Sequence, residues 1–191
     1  MARRRVGGGK ATRVCFLDIE TTGTEADVSM VTGIGILEEG GRFMFIQVEK
    51  PEDEKAGLEK ALKILSGYDV VFTWRGRDFD VPFIVARALK HGVDPSPLYE
   101  VMHLDLADFT RSHMRLSRTD LYNVARFLGI KKDVATQGRD MPLTYLETLA
   151  REKRKPWRKI REHCRDDLVT LMQVYRRLKP LLKMLKPELA L

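Results

Sequence analysis

The sequence predicts a mixed α/β domain: an antiparallel three-stranded meander first, then a crossover helix with a further strand, then helices that pack on the sheet. Three observations carry that expectation. Short apolar runs bounded by turn residues fill the first part of the chain, whereas apolar residues at helical spacing dominate after residue 107. Of the 191 residues, 43% are hydrophobic, enough to bury one core with neither disulfides nor a structural metal. At ~150 residues per domain the length suits one compact unit, 14–191, and no composition shift marks a second.

Residues 1–13, with Arg3 to Arg5 followed by Gly7 to Gly9, have no hydrophobic periodicity and read as a flexible basic arm. Val14 to Leu17 is a buried strand that leads into a polar turn, Asp18 to Gly23. Met30 to Leu37 and Phe43 to Val48 are strands joined by Glu38-Glu39-Gly40-Gly41, whose glycines supply the positive φ a tight hairpin needs. Leu58, Ala61, Leu62 and Leu65 define an amphipathic helix over 52–65, stopped near Gly67. Val70 to Trp74 is a second buried strand beside the first, Arg75 to Asp80 a turn, and Val81 to Leu89 a helix ended by His91-Gly92. Val101 to Leu106 is a short strand. Helices are then expected over 107–115, 119–128, 142–154 and 157–178, with Pro156 opening the last of them.

The formal net charge of +7 is unevenly spread. Residues 1–13 carry five basic and no acidic side chains, 151–191 thirteen basic against five acidic, and the body between them sixteen basic against twenty-two acidic. An acidic body between basic ends suits a carboxylate-lined metal site with phosphate-binding arms; solvated helix faces account for the same runs equally well. No apolar run approaches the ~18 residues that cross a bilayer, and the N-terminus lacks a secretory h-region. A soluble, cytoplasmic chain without membrane contact is expected. Cys15 and Cys164 belong to no paired ligand pattern, so a reducing compartment is expected and a zinc site is not.

Asp18 and Glu20, two apart at the end of a strand, point to one side of the sheet. Two carboxylates there repel and resist desolvation unless protons or a bound cation neutralise them. Asp80 follows the second buried strand, which brings it near the first pair, and His163 and Asp167 share a helix face at four-residue spacing. Four carboxylates from three elements with one imidazole suit a two-metal phosphoryl-transfer site holding Mg²⁺ or Mn²⁺, with His163 placed to take a proton from water. Each piece has a plainer reading: a surface turn for Asp18 and Glu20, a helix-face pair for His163 and Asp167, a helix cap for Asp80. Their joint order, and the apolar strand before each of the first two acidic groups, favours the site.

Phe16-Leu17-Asp18-Ile19-Glu20-Thr21-Thr22-Gly23 resembles the first motif of the DEDD 3′–5′ exonucleases, Val70 to Asp80 their second, and His163 to Leu171 their third. Leu121 to Ile130 and His103 to Leu106 are similar to the linking segments of the branch that contains family-B polymerase proofreading domains and their stand-alone relatives. The resemblance spans about 14–178. It implies a ribonuclease-H-like three-layer fold with helices on both faces of a mixed sheet. It also implies two divalent cations held by Asp18, Glu20, Asp80 and Asp167, and His163 as general base or water-orienting group. Two positions depart from the family: Arg75 stands where the second motif usually has Asn, and His163 occupies the spacing of the tyrosine branch.

Under the resemblance Thr21 and Thr22 hydrogen-bond the terminal nucleotide, although capping the turn serves as well. Arg75 pairs with phosphate. Phe79 and Trp74 stack on a base or pack in the core. Asp105 is structural or an acid behind the ligands, Asp166 is solvent-facing or paired with Arg, and His91, His103 and His113 are unassigned. Lys153, Arg154, Lys155, Arg158, Lys159 and Arg161 would track a nucleic-acid backbone. The expected function is a metal-dependent 3′–5′ exonuclease releasing nucleoside monophosphates from single-stranded DNA or RNA. The alternatives are a silent binding module and a structure-specific endonuclease on the same fold.

Overall fold

The structure is a computed structural model that describes residues 11–131 and 155–191, the side chains of 155 and 156 excepted. The helix expected at 142–154, most of the basic arm, and Lys153 and Arg154 lie outside the described residues. At the described start, Thr12 Oγ1 donates to the Ala190 carbonyl at 2.8 Å, and the Arg13 amide donates to Asp69 Oδ2 at 2.8 Å.

Five strands form one sheet: β1 (Val14–Thr21), β2 (Val31–Glu38), β3 (Phe43–Gln47), β4 (Val70–Thr73) and β5 (Met102–Asp105), in the order β3-β2-β1-β4-β5. The first three are an antiparallel meander, and β4 and β5 add in parallel to β1. In the β2–β3 hairpin, Gly41 takes the positive φ of +93° that the turn demands. The strand carrying the first acids is longer than expected. Asp18 to Thr21 are not a turn, because β2 pairs with them as far as Thr21↔Val31, across a register shift after Glu20.

Alternation along β1 feeds two cores. Cys15, Leu17 and Ile19 face α1 (Glu54–Leu65), α2 (Asp80–Lys90) and the short α3 (Pro97–Glu100), meeting Leu58, Leu62, Phe83 and Ile84. Val14 and Phe16 face the other way, toward α4 (Leu106–His113), α5 (Leu121–Phe127) and α6 (Lys155–Leu185). This is the three-layer arrangement with helices on both faces.

The long helix α6 sits on the sheet through a stripe at helical spacing, Cys164, Leu168, Leu171, Tyr175, Leu178 and Leu182, all buried. Tyr175 fixes its register. Its ring lies 5.3 Å from Phe16 and 4.7 Å from Phe72, centroid to centroid, with Phe16 and Phe72 5.8 Å apart. Such pairs add ~0.5–1.5 kcal/mol beyond area burial. The helix runs past its expected end at 178 and carries Pro180 within it. The ring costs one backbone hydrogen bond, but the buried Leu182 beyond it holds the last turn on the core.

Candidate metal centre

The site begins with β1. Its even positions after Phe16 are Asp18 and Glu20, so both carboxylates leave the sheet on the α6 side, Glu20 buried and Asp18 half-buried. Across the ladder Asp18 faces Gly35 and Glu20 faces Gly33. Gly35 is what lets the helix descend: a Cβ there would lie 2.2 Å from Cys164 Sγ and 2.8 Å from Leu168 Cδ1. With no side chain at that point, Cys164 reaches the acids. Among the described residues, Asp18, Glu20 and Cys164 form a group whose ligand atoms all lie within 4.8 Å of one another.

One turn further along α6, Asp167 joins Asp18 in lining a cleft of about 90 Å³, walled by Leu17, Trp74, Leu121, Leu168 and Leu171. The His163 ring is buried, with Nε2 3.7 Å from Asp167 Oδ2. All three acids act on the Cys164 thiol. Burial pushes it well above the ordinary thiol range, and the charges of Asp18 and Glu20, a hydrogen bond with Asp18 and the charge of Asp167 push it the same way.

Asp80 arrives differently. Strand β4 ends at Thr73 while β1 continues to Thr21, which leaves the Ile19 amide beyond the parallel partner. Asp80, the first residue of α2, fills that gap: its Oδ1 accepts from Ile19 N at 3.0 Å. It is therefore tied to the backbone between Asp18 and Glu20 as well as to its own amide at the start of α2. Burial pushes its carboxyl up to about 7. The amide bonds from Ile19 and its own backbone pull it down, and the Asp105 charge raises it further. Asp80 and Asp167 stand outside the compact group of Asp18, Glu20 and Cys164.

Asp105 proves structural. Its carboxylate accepts from Ala107 N at 2.9 Å and Asp108 N at 3.2 Å, capping α4, and from Arg75 N at 3.1 Å and Arg77 N at 3.0 Å. It thus holds the turn that delivers Asp80. In that turn Arg75 has φ +60°, the left-handed region that a branched-chain or long side chain enters at a cost and Asn or Gly enters readily. Its guanidinium is exposed.

The remaining predicted residues fall around the site. Thr21 Oγ1 donates to the Gly23 carbonyl at 2.7 Å, and Thr22 Oγ1 accepts from Met30 N at 3.0 Å, so both hydroxyls shape the loop. Phe79 is half-buried against Phe83, centroids 5.5 Å apart. Trp74 packs on the α6-side core and also walls the acidic cleft. Asp166 is half-buried, not solvent-facing. Of the basic residues before His163, Arg158 pairs with Glu162 at 3.6 Å, Arg161 lies over the Phe43 ring at 5.9 Å, and Lys159 is exposed.

Two features escaped the sequence reading. Cys164 has no pattern, and only its four-residue offset from the buried Leu168 marks its face. Glu54, fully buried, holds Arg87 through Nε at 2.8 Å and through Nη2, His91 Nε2 at 2.8 Å, and the Val31 amide at 2.8 Å. Arg87 Nη1 in turn donates to the Ala26 carbonyl at 2.9 Å. This network braces the β1–β2 connection from behind.

The donor set fits a divalent cation. Hard carboxylate oxygens from Asp18 and Glu20 converge, with Asp167 beside them, in partly desolvated surroundings.

A family model described as RNase H superfamily matches residues 15–179. A DNA polymerase of Methanocaldococcus jannaschii is 27% identical over 110 residues, an alignment that takes in 47% of this chain and 7% of that polymerase. The family B DNA polymerase structure from Pyrobaculum calidifontis superposes with a TM-score of 0.78 at 16% identity, covering 92% of this chain and 26% of that one. The chain thus spans a small part of both proteins' length. Among the described residues no helix is long and apolar enough to cross a membrane.

Proposed function

The chain belongs to the RNase H superfamily, and from that premise we propose that it is a metal-dependent nuclease, specifically a 3′–5′ exonuclease that hydrolyses single-stranded DNA or RNA ends to nucleoside monophosphates. The observation that carries this reading is the convergence of Asp18 and Glu20 on one point, with Asp167 lining the same cleft as Asp18. Two divalent cations, Mg²⁺ or Mn²⁺, would supply charge neutralisation and Lewis acidity at the scissile phosphate. Asp18, Glu20, Asp167 and Asp80 are the residues that would hold them.

The chain's own groups do the rest. His163 Nε2 accepts a proton from the attacking water, and Asp167 Oδ2, 3.7 Å away, steadies the imidazolium that results. Water adds to phosphorus and the bond to the 3′-oxygen of the preceding nucleotide breaks, giving one nucleoside monophosphate and a strand one residue shorter. The exposed Arg75 guanidinium pairs with a backbone phosphate, and Trp74 at the cleft wall offers an apolar face to a base. Thr21, Thr22 and Phe79 hold the loop and the α2 start in place beneath the terminal nucleotide. Lys159 and its basic neighbours supply sequence-independent attraction for the strand.

End-labelled single strands incubated with Mg²⁺, with Mn²⁺ and with chelator test this directly. A metal-dependent ladder that Asp18→Asn abolishes is expected; equal degradation by that variant removes the reading. A circular single strand separates the endonuclease alternative, since an exonuclease leaves it intact. Arg75, in place of the family's amide, favours one second reading, a module that grips strands without cutting. Binding that persists in chelator with no product would establish it.

A further inference from the structure

Resting on the reading of Asp18 and Glu20 as cation ligands, we infer that the Cys164 thiol is a third donor to the same ion, making this centre a mixed oxygen–sulfur site that takes thiophilic dications such as Zn²⁺, Cd²⁺ or Co²⁺.

Sγ and one oxygen each from Asp18 and Glu20 lie within 4.8 Å of one another, and all three come from elements fixed by the core. Donors sharing one tetrahedral ion are separated by ~3.3–3.8 Å, given metal–oxygen bonds of ~2.0–2.2 Å and metal–sulfur bonds of ~2.3 Å. A separation bounded at 4.8 Å leaves at most ~1.5 Å between the group and that arrangement. The sulfur is present because β2 places Gly35 opposite Asp18: any Cβ there would occupy the space Sγ uses. Cys15, the chain's other cysteine, faces the opposite layer among Leu17, Leu62 and Val71 and has no access to the site.

The ligand chemistry then sorts ions. Carboxylate oxygens alone suit Mg²⁺ and Mn²⁺; a thiolate among them shifts preference toward softer ions. Coordination is a proton exchange: the S–H bond breaks, an S–metal bond forms, and the proton leaves to water, with no change of oxidation state. A thiophilic ion so held competes with Mg²⁺ for the two acids, which makes the site responsive to Zn²⁺.

The test uses the full chain and a readout separate from turnover. Cd²⁺ or Co²⁺ titrated into the metal-free protein should produce a thiolate-to-metal charge-transfer absorption that saturates at one ion per chain. The Cys15→Ser variant should retain the band. Cys164→Ser should lose it and bind Cd²⁺ at least tenfold more weakly by calorimetry, with circular dichroism confirming its fold. Should Cys164→Ser not fold, the band in Cys15→Ser still assigns the donor, because Cys164 is then the one thiol left. A band that survives in Cys164→Ser, or absence of any band in the parent protein, overturns the inference. The nuclease reading fails separately: a band without Mg²⁺-dependent cleavage leaves the mixed-donor site standing, and cleavage without a band leaves the nuclease standing.

Discussion

Glu54 and Asp80 are both buried acids, yet the protein treats them in opposite ways. Burial pushes both upward. At Glu54 the opposing bonds from Arg87, the Val31 amide and His91 win, and its carboxyl is held below the ordinary range. At Asp80 the opposing bonds are backbone amides alone, the charge acting on it is another acid, Asp105, and the carboxyl rises to about 7. Glu54 carries its counter-cation inside the fold, whereas only amides and another acid bear on Asp80, and the proposed function has an external cation do that work. A buried acid paired with arginine is a brace; one raised toward neutrality beside other acids is a functional candidate.

The largest expected effect separates the two regions by activity. Asp18→Asn should lower kcat/KM at least a thousandfold, ~4 kcal/mol at 1.36 kcal/mol per decade, while its urea midpoint stays near or above that of the parent. Loss of folding in this variant would blur the contrast. The brace should behave in reverse. Arg87→Met leaves Glu54 buried without its main partner and should cost ~3–5 kcal/mol in chemical denaturation, with a Glu54→Leu/Arg87→Leu double variant losing less than Arg87→Met alone.

The two acids also predict opposite pH dependences in metal-free protein. Asp80 has a folded pKa of about 7 against 3.8 for the unfolded chain, so between those values the folded state holds the extra proton. Its contribution to stability is therefore full below about 4 and declines by up to ~1.4 kcal/mol per pH unit as pH rises toward 7. Thermal melts in chelator should show that decline, and Asp80→Asn should flatten it. Glu54 is lowered from 4.5, so its contribution is present above that value and is lost as pH falls into the acid range. The smallest effect belongs to the turn between them. Arg75→Gly should gain ~1 kcal/mol by relieving φ +60°, read as a raised denaturation midpoint.

Local patterns made much of this legible in the sequence. The alternation of Phe16, Asp18 and Glu20 gave their common face, the glycine pair marked the hairpin, and the apolar run of Val70 to Phe72 marked a strand beside β1. What remained hidden depends on contacts between distant residues. Cys164 meets Asp18 only because Gly35 is opposite, and Glu54 finds Arg87 thirty-three residues away across two helices. The length of β1 was underestimated for the same reason: polar residues read as a turn until β2 pairs with them. The last helix was likewise expected too short: it was to end at 178, but tertiary packing carries α6 through Pro180 to Leu185.

The central claim is that divalent cations compensate the acids on β1, α2 and α6. Titration of the full chain with Mn²⁺ at pH 7.5, counting free ion by electron paramagnetic resonance, tests it most directly. The expected result is two ions bound per chain by the parent and loss of both in Asp18→Asn; Mn²⁺ left free by the parent, or bound equally by the variant, would contradict it.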